Sequence, residues 1–273
     1  MKKIAVGLIL VGLAVVSMSS VFFHNRQTNK TYHAKEALES IIIDDKNTPV
    51  TVVGTSDTRA TVEYKESRNS KYRLKERGGI LTLERKDNWF FFSSWFSFGN
   101  DQGEVVVEVP KDQLENLDLE TSNASVSVKN LSVDSADIET SNNEIKLSKL
   151  KVSDTIDAET SNGKITLSDL TFSDGEFITS NSKLEADRLD GKNILLETSN
   201  GNLKFDNVKV GSELTVDSSN ASIQGYIIGK QSDFEINSDT SNGQNTPGNS
   251  EGSGEKVLDL NTSNGDITVK FSE

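Results

Sequence analysis

The tripeptide Thr-Ser-Asn or Ser-Ser-Asn occurs eight times between residues 121 and 264 of this chain, with asparagines at Asn123, Asn142, Asn162, Asn181, Asn200, Asn220, Asn242 and Asn264, spaced 19, 20, 19, 19, 20, 22 and 22 residues apart. A unit of about twenty residues cannot bury an apolar face by itself, so such repeats must stack and share one core. Aligned on the asparagine, each unit is apolar at −6 and −4, carries a small hydroxyl at −2, and is apolar again at +3, +5 and +8. The third unit shows the pattern with Ile156, Ala158, Thr160, Asn162, Gly163, Ile165, Leu167 and Leu170. Alternation at period two means strands with one face in and one out.

The change of parity between −2 and +3 needs a corner. Gly163, Gly201, Gly243 and Gly265 at +1 are expected to supply it through positive φ. Apolar residues at +8, namely Leu131, Leu150, Leu170, Leu189, Val208 and Ile228, predict a third inward-facing side. The fold class is therefore all-β, a three-sided parallel β-solenoid with coils of 19–22 residues. Coils stack about 4.8 Å apart, so identical amides at identical corners can form an interior hydrogen-bonded ladder. A further coil is expected around Asn47, with Ile41 and Ile43 before it and Val50 and Val52 after it.

Between that coil and residue 113 the repeat is lost. Residues 72–84 read as a hairpin bent at Gly78 and Gly79, and Val105, Val107 and Val109 as a strand before Pro110. These elements predict a β cap, which an open solenoid end requires to cover its core and strand edges. At the far end, residues 243–256 hold no large apolar side chain and are expected to be a flexible loop, after which the last unit closes the solenoid.

Residues 4–23 form an uncharged, predominantly apolar run preceded by Lys2 and Lys3, long enough to span a bilayer. Val21, Phe22 and Phe23 carry the run past the small residues Ser17 and Ser19, so an uncleaved signal-anchor fits better than a cleaved signal peptide. The expected organisation is a transmembrane helix over 1–23, a linker over 24–38, an N-terminal coil and cap with an aromatic tip over 39–112, and solenoid repeats over 113–273. Everything after the span would then be extracytoplasmic, in a single-pass protein of the cell membrane.

The export signal, the Asn47 coil and the repeated Glu-Thr-Ser-Asn-Gly corners together resemble the bacterial envelope proteins called putative adhesins, in particular the LiaG-like members, over about residues 35–273. The resemblance implies a membrane-anchored extracytoplasmic β-solenoid, linked by context to envelope stress or adhesion. It brings no catalytic residue with it.

Charge divides the chain. Residues 113–273 carry 13 Lys and Arg against 28 Asp and Glu, while the first 112 residues carry 16 against 14. The net charge of −13 excludes nucleic acid as a general partner. Much of the acid lies in two outward columns, with Asp118, Asp137 and Asp157 at −5 and Glu120, Glu139 and Glu159 at −3. Such a strip either gathers divalent cations or basic ligands, or is a solvated face that keeps a long sheet soluble.

The opposite chemistry occurs near the cap. Trp89, Phe90, Phe91, Phe92, Trp95, Phe96 and Phe98 follow a basic segment, residues 65–86, with eight Lys and Arg against three Glu. Rings beside cations suit the interface of an anionic bilayer or a partner surface, and equally a buried cap core. With no cysteine, and His24 and His33 alone among histidines, no metal site, cofactor or His-based triad is expected. The reading is a non-enzymatic binding or scaffold module for an envelope polymer or protein. The alternative is a carbohydrate-active β-helix that uses surface carboxylates.

Overall fold

A computed structural model describes residues 27–67, 70–87, 103–250 and 254–272. The expected membrane helix at 1–23 and the aromatic residues from Trp89 to Phe98 lie outside the described residues. Among the described residues no helix is long and apolar enough to cross a membrane. They form nineteen strands joined in one sheet system. The N-terminal strands are β1 (Thr28–His33), β2 (Ser40–Asp44), β3 (Val50–Thr55), β4 (Thr61–Glu66), β5 (Ser70–Arg77), β6 (Ile80–Asp87) and β7 (Val105–Pro110). The solenoid continues through β8 (Leu114–Thr121), β9 (Val126–Thr140), β10 (Ile145–Val152), β11 (Thr155–Thr160), β12 (Ile165–Thr179), β13 (Leu184–Thr198) and β14 (Leu203–Ser218). It ends with β15 (Ile223–Ile228), β16 (Phe234–Thr240), β17 (Asn245–Thr246), β18 (Lys256–Thr262) and β19 (Ile267–Ser272).

Equivalent positions pair in parallel from coil to coil, as in Ile145↔Ile165, Leu147↔Leu167 and Leu150↔Leu170. Three inward rows result, and their side chains make one continuous core along the axis. Between the second and third sides the chain turns on a residue at +7 with positive φ, near +55° in each case: Asn130, Lys149, Asp169, Arg188 and Asn207. This residue restores the parity that lets both +5 and +8 point inward. Ile228 departs from the expected inward row. Its coil has no left-handed residue at +7, so Ile227 arrives one place early opposite Val208 and Ile228 is 43% exposed.

The glycines at +1 do not have positive φ. A Cβ on Gly163 would stand 1.6 Å from the Asn143 carbonyl oxygen, and one on Gly201 1.7 Å from that of Ser182. Glycine therefore permits close approach of adjacent backbones at this corner.

The asparagine amides make a continuous chain. Asn162 Nδ2 donates to Asn142 Oδ1 at 2.8 Å, Asn142 to Asn123 at 2.8 Å, and Asn123 to Asn47 at 2.9 Å. Asn181, Asn200 and Asn220 continue it at 2.9–3.0 Å. The ladder is not interior: every one of these side chains from Asn123 onward is exposed, because the corner lies outside the wall of the solenoid.

The buried ladder lies two residues earlier. Thr121, Thr140, Thr160, Thr179 and Thr198 share the parity of the −6 and −4 core residues and are at most 3% exposed. Thr198 Oγ1 donates to the Ser182 carbonyl of the preceding coil at 3.1 Å and accepts the Gly201 N–H at 3.1 Å. Thr179 donates to Gly163 at 2.8 Å, and Thr160 to Asn143 at 3.3 Å. Thr160 and Thr198 thus satisfy their own corner and tie it to the preceding coil, while Thr140 and Thr179 make the tie alone.

Coil order differs from chain order at both ends. The last unit does not close the solenoid: β18 lies between β14 and β16, and β19 between β15 and β17. Leu258, Leu260 and Ile267 are fully buried there, whereas the preceding unit has only Asn245 and Pro247 at its +3 and +5 positions. The apolar unit gains more from being covered on two sides, so the polar one takes the end. The segment between them also caps. Ser250 Oγ accepts the Ile236 N–H at 3.1 Å and Asn249 Oδ1 accepts the Ser238 N–H at 2.5 Å, which occupies the outer edge of β16.

At the other end β2 lies between β6 and β8, and β3 between β7 and β9. The hairpin partner β5 then runs antiparallel outside β6, and β4 antiparallel outside β7. Residues 24–38 are not merely a linker, since β1 pairs with β4. At Asp45, the place of the ladder threonine in this coil, a buried carboxylate accepts the Asn47 and Thr48 N–H groups at 2.9 Å, Arg85 Nη1 at 3.3 Å, and the Tyr72 hydroxyl. Burial, then the Asp45 charge, pushes the Tyr72 phenol well above its ordinary range, so it remains a donor.

Two stability outcomes follow from these placements. Thr198→Val should cost about 1–3 kcal/mol because it leaves buried corner groups unpaired, while Asn200→Ala, on the surface, should cost about 0.5–1.5 kcal/mol. Denaturant unfolding that ranks them the other way would contradict the buried hydroxyl as the principal tie. Arg85→Met strands the Asp45 carboxylate and should cost about 3–5 kcal/mol, read in the same assay.

Candidate functional site: an acidic solenoid face

The first side of each coil, ending at the ladder threonine, presents its alternate residues outward. Register stacks Asp118 on Asp137, Asp137 on Asp157, and Asp157 on Glu176. The second column runs Asp44, Glu120, Glu139 and Glu159. Asp118, Glu120, Asp137, Glu139, Asp157 and Glu159 are all exposed. Asp137, Glu139, Asp157, Glu159, Glu176 and Ile178 line a shallow open depression on this face.

No lysine or arginine occurs among residues 114–121, 135–140, 155–160, 174–179, 193–198 or 213–218, which build the middle of this side, whereas at its cap end β5 sets Arg73 against Glu84 at 3.6 Å. The other two sides are different. There Lys164 pairs with Glu185 at 2.7 Å, Lys209 with Asp190 at 2.8 Å, and Arg188 with both Asp169 and Asp187. The uncompensated charge of the solenoid is therefore concentrated on one face. Neighbouring strands are about 4.8 Å apart, which makes like charges in one column repel. Partial burial and then the charges of Asp137 and Asp44 raise the Asp118 carboxyl above its ordinary range. Partial desolvation with Glu120, Glu159 and Asp137 does the same for Glu139, and partial desolvation with Glu176 and Asp137 for Asp157.

The columns are spread along the strands and do not converge. Among the described residues no three histidines or carboxylates are gathered as metal ligands. The face suits a repeating or extended cation better than a single coordinated ion.

A second feature lies at the capped end. Thr28 pairs with Glu66, and the Ser67 N–H donates to the Ser70 carbonyl at 2.9 Å. Ser70 in turn pairs with Asp87. A Cβ on Gly103 would lie 2.8 Å from Lys65 Cβ, so the chain re-enters beside the same strand end. The exit toward residues 1–26 and both flanks of residues 88–102 thus meet at one corner of the cap. The basic side chains of Lys65 and Lys71 are exposed there. Sequence reading missed this convergence because it depends on β1 and β4, and the linker assignment hid β1.

The raised carboxyls give a pH dependence. A folded pKa above the unfolded one favours the folded state fully below the unfolded value, and the benefit is lost as pH rises through the folded value. Glu66, Glu76, Asp169 and Asp174 act oppositely. For Glu66 and Glu76 burial pushes up, but hydrogen bonds and lysine charges outweigh it. For Asp169 and Asp174 hydrogen bonds from Arg188 and Asn193 pull down. The melting temperature should therefore rise as pH falls from neutral toward the ordinary carboxylate range, then fall below it. Glu139→Gln with Asp157→Asn should raise it at neutral pH and flatten the first limb, with added salt reproducing part of the gain.

Comparison with known proteins places this architecture. Among solved structures the chain is similar to a putative adhesin from Bacteroides fragilis NCTC 9343, at 12% identity over 90% of this chain and 97% of the other, with a TM-score of 0.55. It is also matched by a putative adhesin from Parabacteroides distasonis ATCC 8503, at 11% identity over 90% and 98% of the chains and a TM-score of 0.41. A putative lipid binding protein from the same Parabacteroides strain matches at 13% identity over 91% and 96% and a TM-score of 0.34. Comparison with curated proteins gave no match. The model of the Toastrack DUF4097 family matches residues 38–270, and with that span covering nearly all of the described solenoid and cap, the chain belongs to this family.

Proposed function

We propose that this protein is a non-enzymatic binding or scaffold module of the bacterial envelope, held at the membrane by residues 4–23 and projecting its solenoid away from it. The observation that carries this reading is the convergence of three chain exits on one corner of the cap, beside exposed Lys65 and Lys71. The described chain ends that lead toward the apolar run and toward residues 89–98 leave the fold at this one corner, and the rings and cations of those sequences suit an anionic headgroup layer. The acidic solenoid is repelled by that layer and stands clear of it.

The long acidic face is the surface available to a partner, and its chemistry selects a cationic envelope polymer or the basic surface of a protein. A lyase-like reading would require cationic side chains beside the carboxylates on one exposed sheet, and residues 114–121, 135–140, 155–160, 174–179, 193–198 and 213–218 carry no lysine or arginine. An adhesive or envelope-stress role accords with the resemblance of the repeats to the LiaG-like putative adhesins.

Full-length protein expressed in a bacterium should remain with the membrane fraction through high-salt washing and be digested by protease added outside the cytoplasmic membrane. Release by salt, or protection from that protease, would sink the reading. A soluble segment from residue 27 onward should bind anionic vesicles, and replacing Phe91, Phe92, Trp95 and Phe96 with Ser should abolish binding with little change in the thermal transition. Unfolding of the cap by those replacements would assign the rings to the core instead.

A further inference from the structure

Four ladder asparagines are followed by glycine: Asn162, Asn200, Asn242 and Asn264. Asn-Gly is open to intramolecular deamidation because no Cβ obstructs attack by the glycine nitrogen. The glycine nitrogen bonds to the asparagine Cγ, the side-chain nitrogen leaves as ammonia with the glycine N–H proton, and a cyclic imide remains. Water then opens either imide carbonyl, which yields aspartate or isoaspartate, so the change needs only water and mild base. It requires a glycine N–H free to lose its proton and an asparagine amide free to leave the ladder.

The fold sorts the four sites by these requirements. The Gly163 N–H donates to buried Thr160 Oγ1 at 3.0 Å and the Gly201 N–H to buried Thr198 Oγ1 at 3.1 Å, which ties both nucleophiles. Thr240 and Thr262 likewise donate to carbonyls, those of Gly265 and Ala221, but neither accepts the following glycine N–H. No acceptor among the described residues takes the Gly243 or Gly265 N–H. The remaining two sites differ in their amides. Asn264 is held on both sides, since it donates to Asn220 at 3.0 Å and accepts from Asn242 at 2.9 Å. Asn242 ends the ladder. It donates to Asn264, nothing among the described residues donates to its Oδ1, and it is exposed in the last coil just before the Gly- and Ser-rich segment.

We propose that Asn242 is a site of spontaneous succinimide formation, the first of the four to convert in the folded protein. Conversion removes the outermost rung, because a carboxylate cannot donate to Asn264 Oδ1, and it adds a negative charge to the end coil.

The test is peptide mapping by mass spectrometry of the full chain kept at mildly alkaline pH, folded and in denaturant. In the folded chain Asn242 should convert at least about tenfold faster than Asn162 and Asn200, the factor expected from one or two restraining hydrogen bonds. In denaturant the four should convert at similar rates. Thr198→Val, which frees the Gly201 N–H, should speed Asn200 severalfold and leave Asn162 unchanged. Folded Asn162 or Asn200 converting as fast as Asn242 would overturn the proposal, as would a folded Asn242 that stays intact while the unfolded chain converts. Both of these comparisons use the unmodified protein and stand whether or not the variant folds.

Discussion

The buried hydroxyl at the corner of each coil is the tie on which the solenoid depends. A parallel stack gains its core only when neighbouring coils keep one register, and every coil here is too short to be stable alone. The sharp turn leaves backbone groups inside the wall that water cannot reach, and an unpaired buried amide or carbonyl would cost about 1–3 kcal/mol. Threonine solves this with one atom, accepting from its own coil at Gly163 or Gly201 and donating to the coil before it. The exposed asparagine amides repeat the same coupling on the outside, where water competes and each bond counts for less. Register is thus fixed twice at one corner, once dry and once wet.

A stack of weak units is most vulnerable where it ends. In this chain neither sequence-terminal coil is an end coil, because β2 and β3 are sandwiched under β6 and β7, and β18 and β19 under β16 and β17. Once the edge strand β1 has peeled from β4, unravelling from either terminus must therefore displace chain that lies elsewhere in the sequence. The cap adds a polar lock, since Arg85 and Tyr72 from the hairpin close over Asp45 at the ladder position. The parallel stack is closed by antiparallel β5 and β4 at one end, with β1 outside β4, and Asn249 and Ser250 occupy N–H groups of β16 at the other.

The architecture was legible in the sequence because its signal is periodic. Apolar positions at −6, −4, +3, +5 and +8 determine parity, and parity determines which way a strand residue points. The buried role of threonine was legible too, since −2 shares the parity of −6 and −4, yet a hydroxyl invites a surface reading. The left-handed corner at +7 carried no single residue type, with Asn, Lys, Asp, Arg and Asn in turn, so only the odd step between +5 and +8 betrayed it. Coil order was not legible. Pairing between parallel strands depends on which neighbour buries more apolar area, and the weakness of Asn245 and Pro247 shows only after both candidate orders are built.

Face-by-face electrostatics was half legible. The acidic columns follow from alternation alone, but their significance comes from what the other sides do with charge. Lys164, Arg188 and Lys209 each meet a carboxylate on an adjacent coil, so two sides of the solenoid neutralise themselves. The middle coils of the first side have no basic residue to answer Asp118, Glu139 or Asp157, and these carboxyls are pushed up by partial desolvation and by one another. A fold selected for stability alone would gain by interspersing lysines there, as it does on its other sides. Keeping one face acidic at a cost in stability is the kind of local inconsistency expected where a surface serves a partner rather than the core.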